Sequence, residues 1–172
     1  MPPRTDILDV ASMRLSPGEG RRLELDVVID PLSFAGERYA VEPAAVTFTL
    51  DVARMVGNGY SLRLRGGASL SGPCMRCLAP ATPDVEIDAR EIHQPGADEQ
   101  LHSPYFAGSE VDLRAWARDA LALALPAQLV CRPDCAGLCP VCGADLNLAG
   151  PEHLHEREPD PRWAKLRELE LE

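Results

Sequence analysis

Alternation of apolar and polar residues dominates the first half of the chain. Between Arg21 and Ile29 the apolar positions are Leu23, Leu25, Val27 and Ile29, with mostly polar residues between them. That is the period of a strand burying one face. Val46, Phe48, Leu50 and Val52 repeat it, and Tyr60, Leu62, Leu64, Ala68 and Leu70 resume it after Gly57-Asn58-Gly59, a turn signal. The two arms around that turn predict an antiparallel hairpin. Val85, Ile87 and Ala89 predict a further strand. Such runs, separated by turn residues, predict an antiparallel sheet that curls or closes into a partial barrel.

The period then changes. Gln94 to Glu110 holds proline, glycine and acids without regular spacing and reads as a loop. Asp112 is placed to cap a helix. Leu113, Trp116, Ala117, Ala120, Leu121 and Ala124 follow at helical spacing on one face, until Pro126 stops the helix. Trp116 reads as the anchor of that helix against the sheet. From Cys131 to His155 the chain is dense in Cys, Gly, Pro and Asn, too small and irregular to hold itself by apolar burial. Asp160-Pro161-Arg162 opens a short terminal helix, with Asp as its cap and Pro in its first turn. Trp163, Leu166 and Leu169 give that helix an apolar stripe. The fold class is therefore α+β: a curled or partly closed antiparallel sheet packed by one helix, then a small stapled segment and a short helix. The division falls into a sheet-and-helix unit over 1–126 and a cysteine-rich segment with its helix over 127–172.

Composition sharpens this picture. Hydrophobic residues make up 45% of the 172, enough for a core without metal, but aromatics are only 5%, so Leu, Val and Ala must build it. The N-terminus has no apolar run of signal-peptide length, and no stretch of 18 apolar residues exists to span a membrane. The expected location is the cytoplasm, where thiols stay reduced and clustered cysteines favour metal over disulfides. A net charge of −10 argues against a general nucleic-acid binder. The charge is uneven, however. Val52 to Pro83 holds Arg54, Arg63, Arg65 and Arg76 and no acid, whereas Asp84 to Asp112 holds eight acids and one arginine. The basic stretch is either a solvated strand face or a phosphate-contacting patch. Only the second reconciles an acidic protein with RNA.

The cysteines carry the chemistry. Cys74-Met75-Arg76-Cys77 is one C-x2-C pair and Cys139-Pro140-Val141-Cys142-Gly143 another, with Cys131 and Cys135 between them in sequence. Two thiolates at this spacing can face one ion while backbone N–H groups turn toward the sulfurs, and Gly143 permits the backbone angle this needs. Zinc in a structural site takes four such ligands in a closed tetrahedron. His153 and His155 bring the candidates to eight. One partition places Cys139, Cys142, His153 and His155 on one ion and Cys74, Cys77, Cys131 and Cys135 on a second. Another places Cys131, Cys135, Cys139 and Cys142 on a single ion, leaving Cys74 and Cys77 a free pair and both histidines on the surface. Cys74 and Cys77 also admit a redox reading, but that motif belongs at a helix start, and Ser71-Gly72-Pro73 with Leu78-Ala79-Pro80 looks like a turn between strands. No phosphate-binding glycine loop, nucleophile elbow or helical histidine pair is present, so no catalytic site or small-molecule substrate is expected.

Cys131-x3-Cys135-Ala-Gly-Leu-Cys139-Pro-Val-Cys142-Gly-Ala-Asp-Leu-Asn147, followed by Asp160-Pro161-Arg162-Trp163, resembles the large ribosomal RNA subunit accumulation protein family (YceD-like). Cys74 to Leu78 resembles the family's Cys-x-Arg-Cys-Leu motif, and Leu123 to Pro126 its Leu-Ala-Leu-Pro helix end. The resemblance covers roughly Arg21 to the C-terminus and is loose before Tyr60. Many relatives have Cys-x-Cys where this chain has His153-Leu154-His155, a swap that a zinc ligand position tolerates. Others lack the C-terminal cysteines, which makes the metal a stabiliser rather than the functional centre. The resemblance implies a non-enzymatic role in synthesis, processing or stability of large-subunit (23S) ribosomal RNA, with structural zinc (one or two ions). Arg63, Arg65 and Arg76 are the candidate RNA contacts, since a guanidinium can donate two bonds to a phosphate. The alternative is a protein-interaction module whose acidic loop, Asp84 to Asp112, binds a basic ribosomal protein.

Overall fold

A computed structural model describes residues 2–3, 5–96, 101–150 and 152–155. The alternating segments become long antiparallel strands: β2 (Gly20–Val28), β5 (Ala45–Arg54), β6 (Tyr60–Pro73) and β8 (Asp84–His93). Their register aligns the apolar positions in rows, with Leu25 opposite Phe48, Leu50 opposite Leu64, and Leu64 opposite Ala89. Leu25, Val27, Val46, Phe48, Leu50, Val52, Leu62, Leu64, Val85 and Ile87 are all buried on that face. The β5–β6 hairpin turns at Gly57-Asn58-Gly59, as the sequence predicts.

The central strand is β6. Its first half pairs with β5, and its second half pairs along the same edge with β4 (Glu37–Glu42), which forms a hairpin with β3 (Leu32–Phe34). On its other edge run β8 and the two-residue β7 (Pro80–Ala81). Ser69 is thus paired on both sides, with Glu42 and with Asp84. The outermost strands β2 and β8 do not pair with each other, so the sheet stays open rather than closing into a barrel.

Gly66 lets the inner face pack closely. It lies opposite Phe48, and a Cβ there would sit 2.6 Å from the Phe48 ring and 3.0 Å from the Thr47 carbonyl. Phe48 is fully buried and has nowhere to retreat. Gly66→Ala should therefore cost about 1–3 kcal/mol by overpacking, read as a lower urea midpoint at unchanged slope; an unchanged midpoint would mean the ring moves freely.

A second, three-stranded sheet corrects the loop expected over Gln94 to Glu110. Here β1 (Ile7–Asp9) pairs with β10 (Glu110–Asp112), which pairs with β9 (Phe106–Ala107). The pairing is short and non-local, so no period in the sequence announces it. The acidic stretch Asp84 to Asp112 is likewise not one loop, because its first third is β8. Helix α1 (Leu113–Ala124) follows β10 directly. Asp112 caps it, its carboxylate accepting the Ala115 N–H at 2.9 Å. Leu113, Trp116, Ala117, Ala120 and Leu121 are buried on one face, and the helix packs on β8 while also reaching β2. The fold is α+β, as predicted, with one main helix on an antiparallel sheet. The terminal helix expected from Asp160 lies outside the described residues.

Candidate metal centres

Knuckle geometry is set locally. β6 ends at Pro73, and from Cys74 the chain turns back into β7. The Leu78 N–H donates to the Cys74 carbonyl at 3.0 Å, and the Cys74 N–H to the Ala79 carbonyl at 2.8 Å. The second C-x2-C repeats this arrangement: Gly143 N–H to the Cys139 carbonyl at 2.8 Å, and Cys139 N–H to the Ala144 carbonyl at 2.8 Å. In both, the residue after the second cysteine is left-handed, Leu78 at φ 63° and Gly143 at φ 74°. Glycine suits that position without strain; Leu78 holds it at a steric cost. The Cys74–Cys77 motif is a turn between strands and not a helix start, unlike a thioredoxin-type site.

Tertiary structure then assembles two groups of four. Cys74 and Cys77 meet Cys131 and Cys135, while Cys139 and Cys142 meet His153 and His155, with the potential ligand atoms of each group within 4.8 Å of one another. Cys131 and Cys135 thus lie with the first knuckle rather than with the second. None of the six cysteines is in a disulfide. The Cys74–Cys135 and Cys77–Cys131 sulfurs are 3.8 and 3.6 Å apart. A tetrahedron of thiolates at about 2.3 Å from a metal has edges of about 3.8 Å. In the second group Cys142 Sγ is 3.3 Å from His153 Nε2, which is 3.0 Å from His155 Nε2. The donors of both groups therefore fit one ion each. Thiolate and imidazole sets of this kind suit zinc or iron.

The electrostatics fit the same use. Burial alone would raise the Cys74 thiol, but backbone N–H groups of Cys77 and Arg76 outweigh it and bring it to about 6. The Arg76 N–H lies 3.4 Å from the Cys74 sulfur. N–H groups of Cys142 and Val141 likewise bring Cys139 to about 6. By contrast, loss of water and the crowding sulfurs of Cys77, Cys135 and Cys74 push Cys131 up to about 12. Four packed thiols cannot all ionise by themselves; a cation among them removes the conflict.

The candidate arginines have separate fates. Arg76 is part of the knuckle, donating to Gln128 Oε1 at 2.8 Å and to the Cys135 carbonyl at 3.0 Å. Arg63 and Arg65 alternate along β6 with the buried Leu62 and Leu64 and so lie on the opposite, outer face of the sheet. Arg63 forks onto Asp88 at 2.8 and 2.6 Å, and Arg65 reaches Asp51 at 2.7 Å, which also accepts from Arg22 at 2.6 Å. Those arginines hold Asp88 and Asp51 below the ordinary carboxylate range. The pairing escaped sequence reasoning because Asp88 and Asp51 come from neighbouring strands, and only register reveals them.

A family model described as large ribosomal RNA subunit accumulation protein YceD matches residues 62–170. The chain belongs to the YceD family. The matched region runs from the central strand through both cysteine groups. Among curated YceD relatives, a Zea mays protein named large ribosomal RNA subunit accumulation protein YCED homolog 1, chloroplastic, is 36% identical over 48% of this chain and 23% of its own length. An uncharacterized protein of Mycobacterium tuberculosis is 34% identical over 94% of this chain and 80% of its own, and so is one from Mycobacterium bovis. No solved structure matches. Among the described residues no helix is long and apolar enough to cross a membrane.

Proposed function

We propose that this YceD-family chain is a non-enzymatic cytoplasmic factor for the synthesis, processing or stability of large-subunit (23S) ribosomal RNA, held in shape by two structural zinc ions. The observation that carries this reading is the family match from residue 62 to 170, which takes in the sheet's central strand, α1 and all eight candidate ligands. In this reading residues 1–126 form the working unit. Residues 127–172 are a metal-held segment clasped to it through Cys74 and Cys77. Zinc supplies four-point attachment and no redox chemistry. Depleting the protein should lower mature large-subunit RNA relative to small-subunit RNA, measured by total RNA electrophoresis; an unchanged ratio counts against the role.

Direct contact with RNA phosphates through Arg63, Arg65 and Arg76 is part of the proposal. Its competitor is contact with a basic ribosomal protein, favoured by a specific observation: Arg63 and Arg65 are already engaged by Asp88 and Asp51. A phosphate must displace a carboxylate there, and the pairing cancels much of the positive charge that would draw RNA; a cationic partner must displace an arginine in turn but does not need that charge. Replacing Arg63 and Arg65 together by Glu separates the two. RNA crosslinking in cells should fall several-fold if phosphates are bound, and stay at the wild-type level if the partner is a protein.

A further inference from the structure

Asn147 is bonded to the Cys131–Cys135 segment of the first group and to Asp145, which follows the second knuckle. It lies on the four-residue helix α2 (Leu146–Ala149), which Asp145 caps by accepting the Asn147 N–H at 2.9 Å. The second knuckle fixes that helix: Leu138 and Asp145 form a β-bridge, and the Leu146 N–H donates to the Gly137 carbonyl at 2.9 Å. The Asn147 side chain then spends all its polar capacity. Oδ1 accepts the Ala136 N–H at 2.8 Å and an Arg132 guanidinium N–H at 2.8 Å. Nδ2 donates to Asp145 Oδ1 at 2.6 Å and to the Cys135 sulfur at 3.6 Å. Which amide atom points where is settled by its partners, because one side meets only donors and the other meets a carboxylate and a sulfur.

We propose that Asn147 positions Cys135 for the four-cysteine ion and couples the two metal sites, because its own place depends on the second knuckle being closed. An N–H aimed at a ligand sulfur stabilises the thiolate and fixes its direction, the usual work of a group just behind a metal ligand. The two sites also differ in access. In the four-cysteine group Cys74, Cys77 and Cys135 are buried and Cys131 is exposed, whereas in the second group only Cys139 is buried and Cys142 and His155 are exposed. The second ion is the exchangeable one. When it leaves, α2 loses its anchorage and Cys135 loses its donor. The coupling runs both ways, so filling the four-cysteine site tightens the second.

The inference rests on the two-ion reading, and cobalt(II) titration of the reduced full-length chain tells the two apart. Thiolate-to-cobalt absorption reports the ligands, and zinc back-titration gives the affinities. Wild type should take two ions. Asn147→Asp keeps the acceptor for Ala136 and Arg132 but loses the donors to the Cys135 sulfur and to Asp145, and sets a second carboxylate against Asp145. It should weaken the four-cysteine site about 10–100-fold with the two-ion capacity kept. Asn147→Ala should do the same. The His153→Ala, His155→Ala pair should cut capacity to one ion and weaken the remaining site in the wild-type background, but add little on top of Asn147→Asp. Strand circular dichroism reports folding of each variant, and Asn147→Asp decides if Asn147→Ala loses that signal. Equal four-cysteine affinity in wild type, Asn147→Asp and the histidine pair overturns the coupling alone. Fewer than two ions on wild type overturns the two-ion reading first.

Discussion

Stripping the reduced protein with a strong chelator should unfold residues 127–155 and the Cys74–Cys77 turn while the long strands stay folded. The expected effect is large because, among the described residues, little else holds that segment. Leu129 joins the main core, but beyond it the buried side chains are Cys135 and Cys139, with Val130 and Leu138 half-buried. Such burial is worth a few kcal/mol at about 25 cal/mol per Å². A structural zinc contributes roughly 10–16 kcal/mol of apparent binding free energy. The sheet has its own core of some two dozen buried residues and does not share this dependence. Amide hydrogen exchange should show protection lost for Leu138, Cys139 and Leu146, whose N–H groups are bonded only within this segment or to the Arg76 turn, and kept for β5 and β6. Cys135→Ser tests the same point without a chelator. Protection surviving in both cases would mean that packing, not metal, shapes the segment.

The second large effect belongs to the core. Trp116→Ala should lower stability by about 3–5 kcal/mol. Trp116 is 2% exposed at the centre of the buried face of α1, with Tyr105 stacked 6.3 Å away. The chain has only eight aromatic residues across Trp, Tyr and Phe, so few other side chains could fill the space. Urea denaturation followed by far-UV circular dichroism measures it, with Leu123→Ala as the control. Leu123 sits on the same helix at 88% exposure and should change stability by less than about 0.5 kcal/mol. Similar losses from the two would mean that α1 is not held by one face.

The apolar face of α1 and the inward rows of β2, β5, β6 and β8 can be read directly, because burial of one face imposes a period of 3.6 or 2 on neighbouring residues. The β1–β10–β9 sheet could not be read, since strands of two or three residues carry no period. The same division runs through the site. That each C-x2-C closes a turn is local chemistry, and Gly143 announces the left-handed residue that such a turn needs. Leu78 occupies the equivalent position without any such signal, because its backbone angle is imposed by the β6–β7 connection around it.

What the chain determines by itself, then, is which residues turn inward, where the long hairpin bends, and which eight side chains are fit to hold metal. Spacing along the backbone is enough for each of these. Tertiary structure alone decided that Cys131 and Cys135 join a knuckle more than fifty residues earlier, at Cys74 and Cys77. It also decided that Arg63 and Arg65 face Asp88 and Asp51, and that Asn147 reaches the Cys135 sulfur. Those pairings depend on strand register and on how one segment docks on another. Register and docking are settled by packing summed over the whole fold, which no single stretch of sequence encodes.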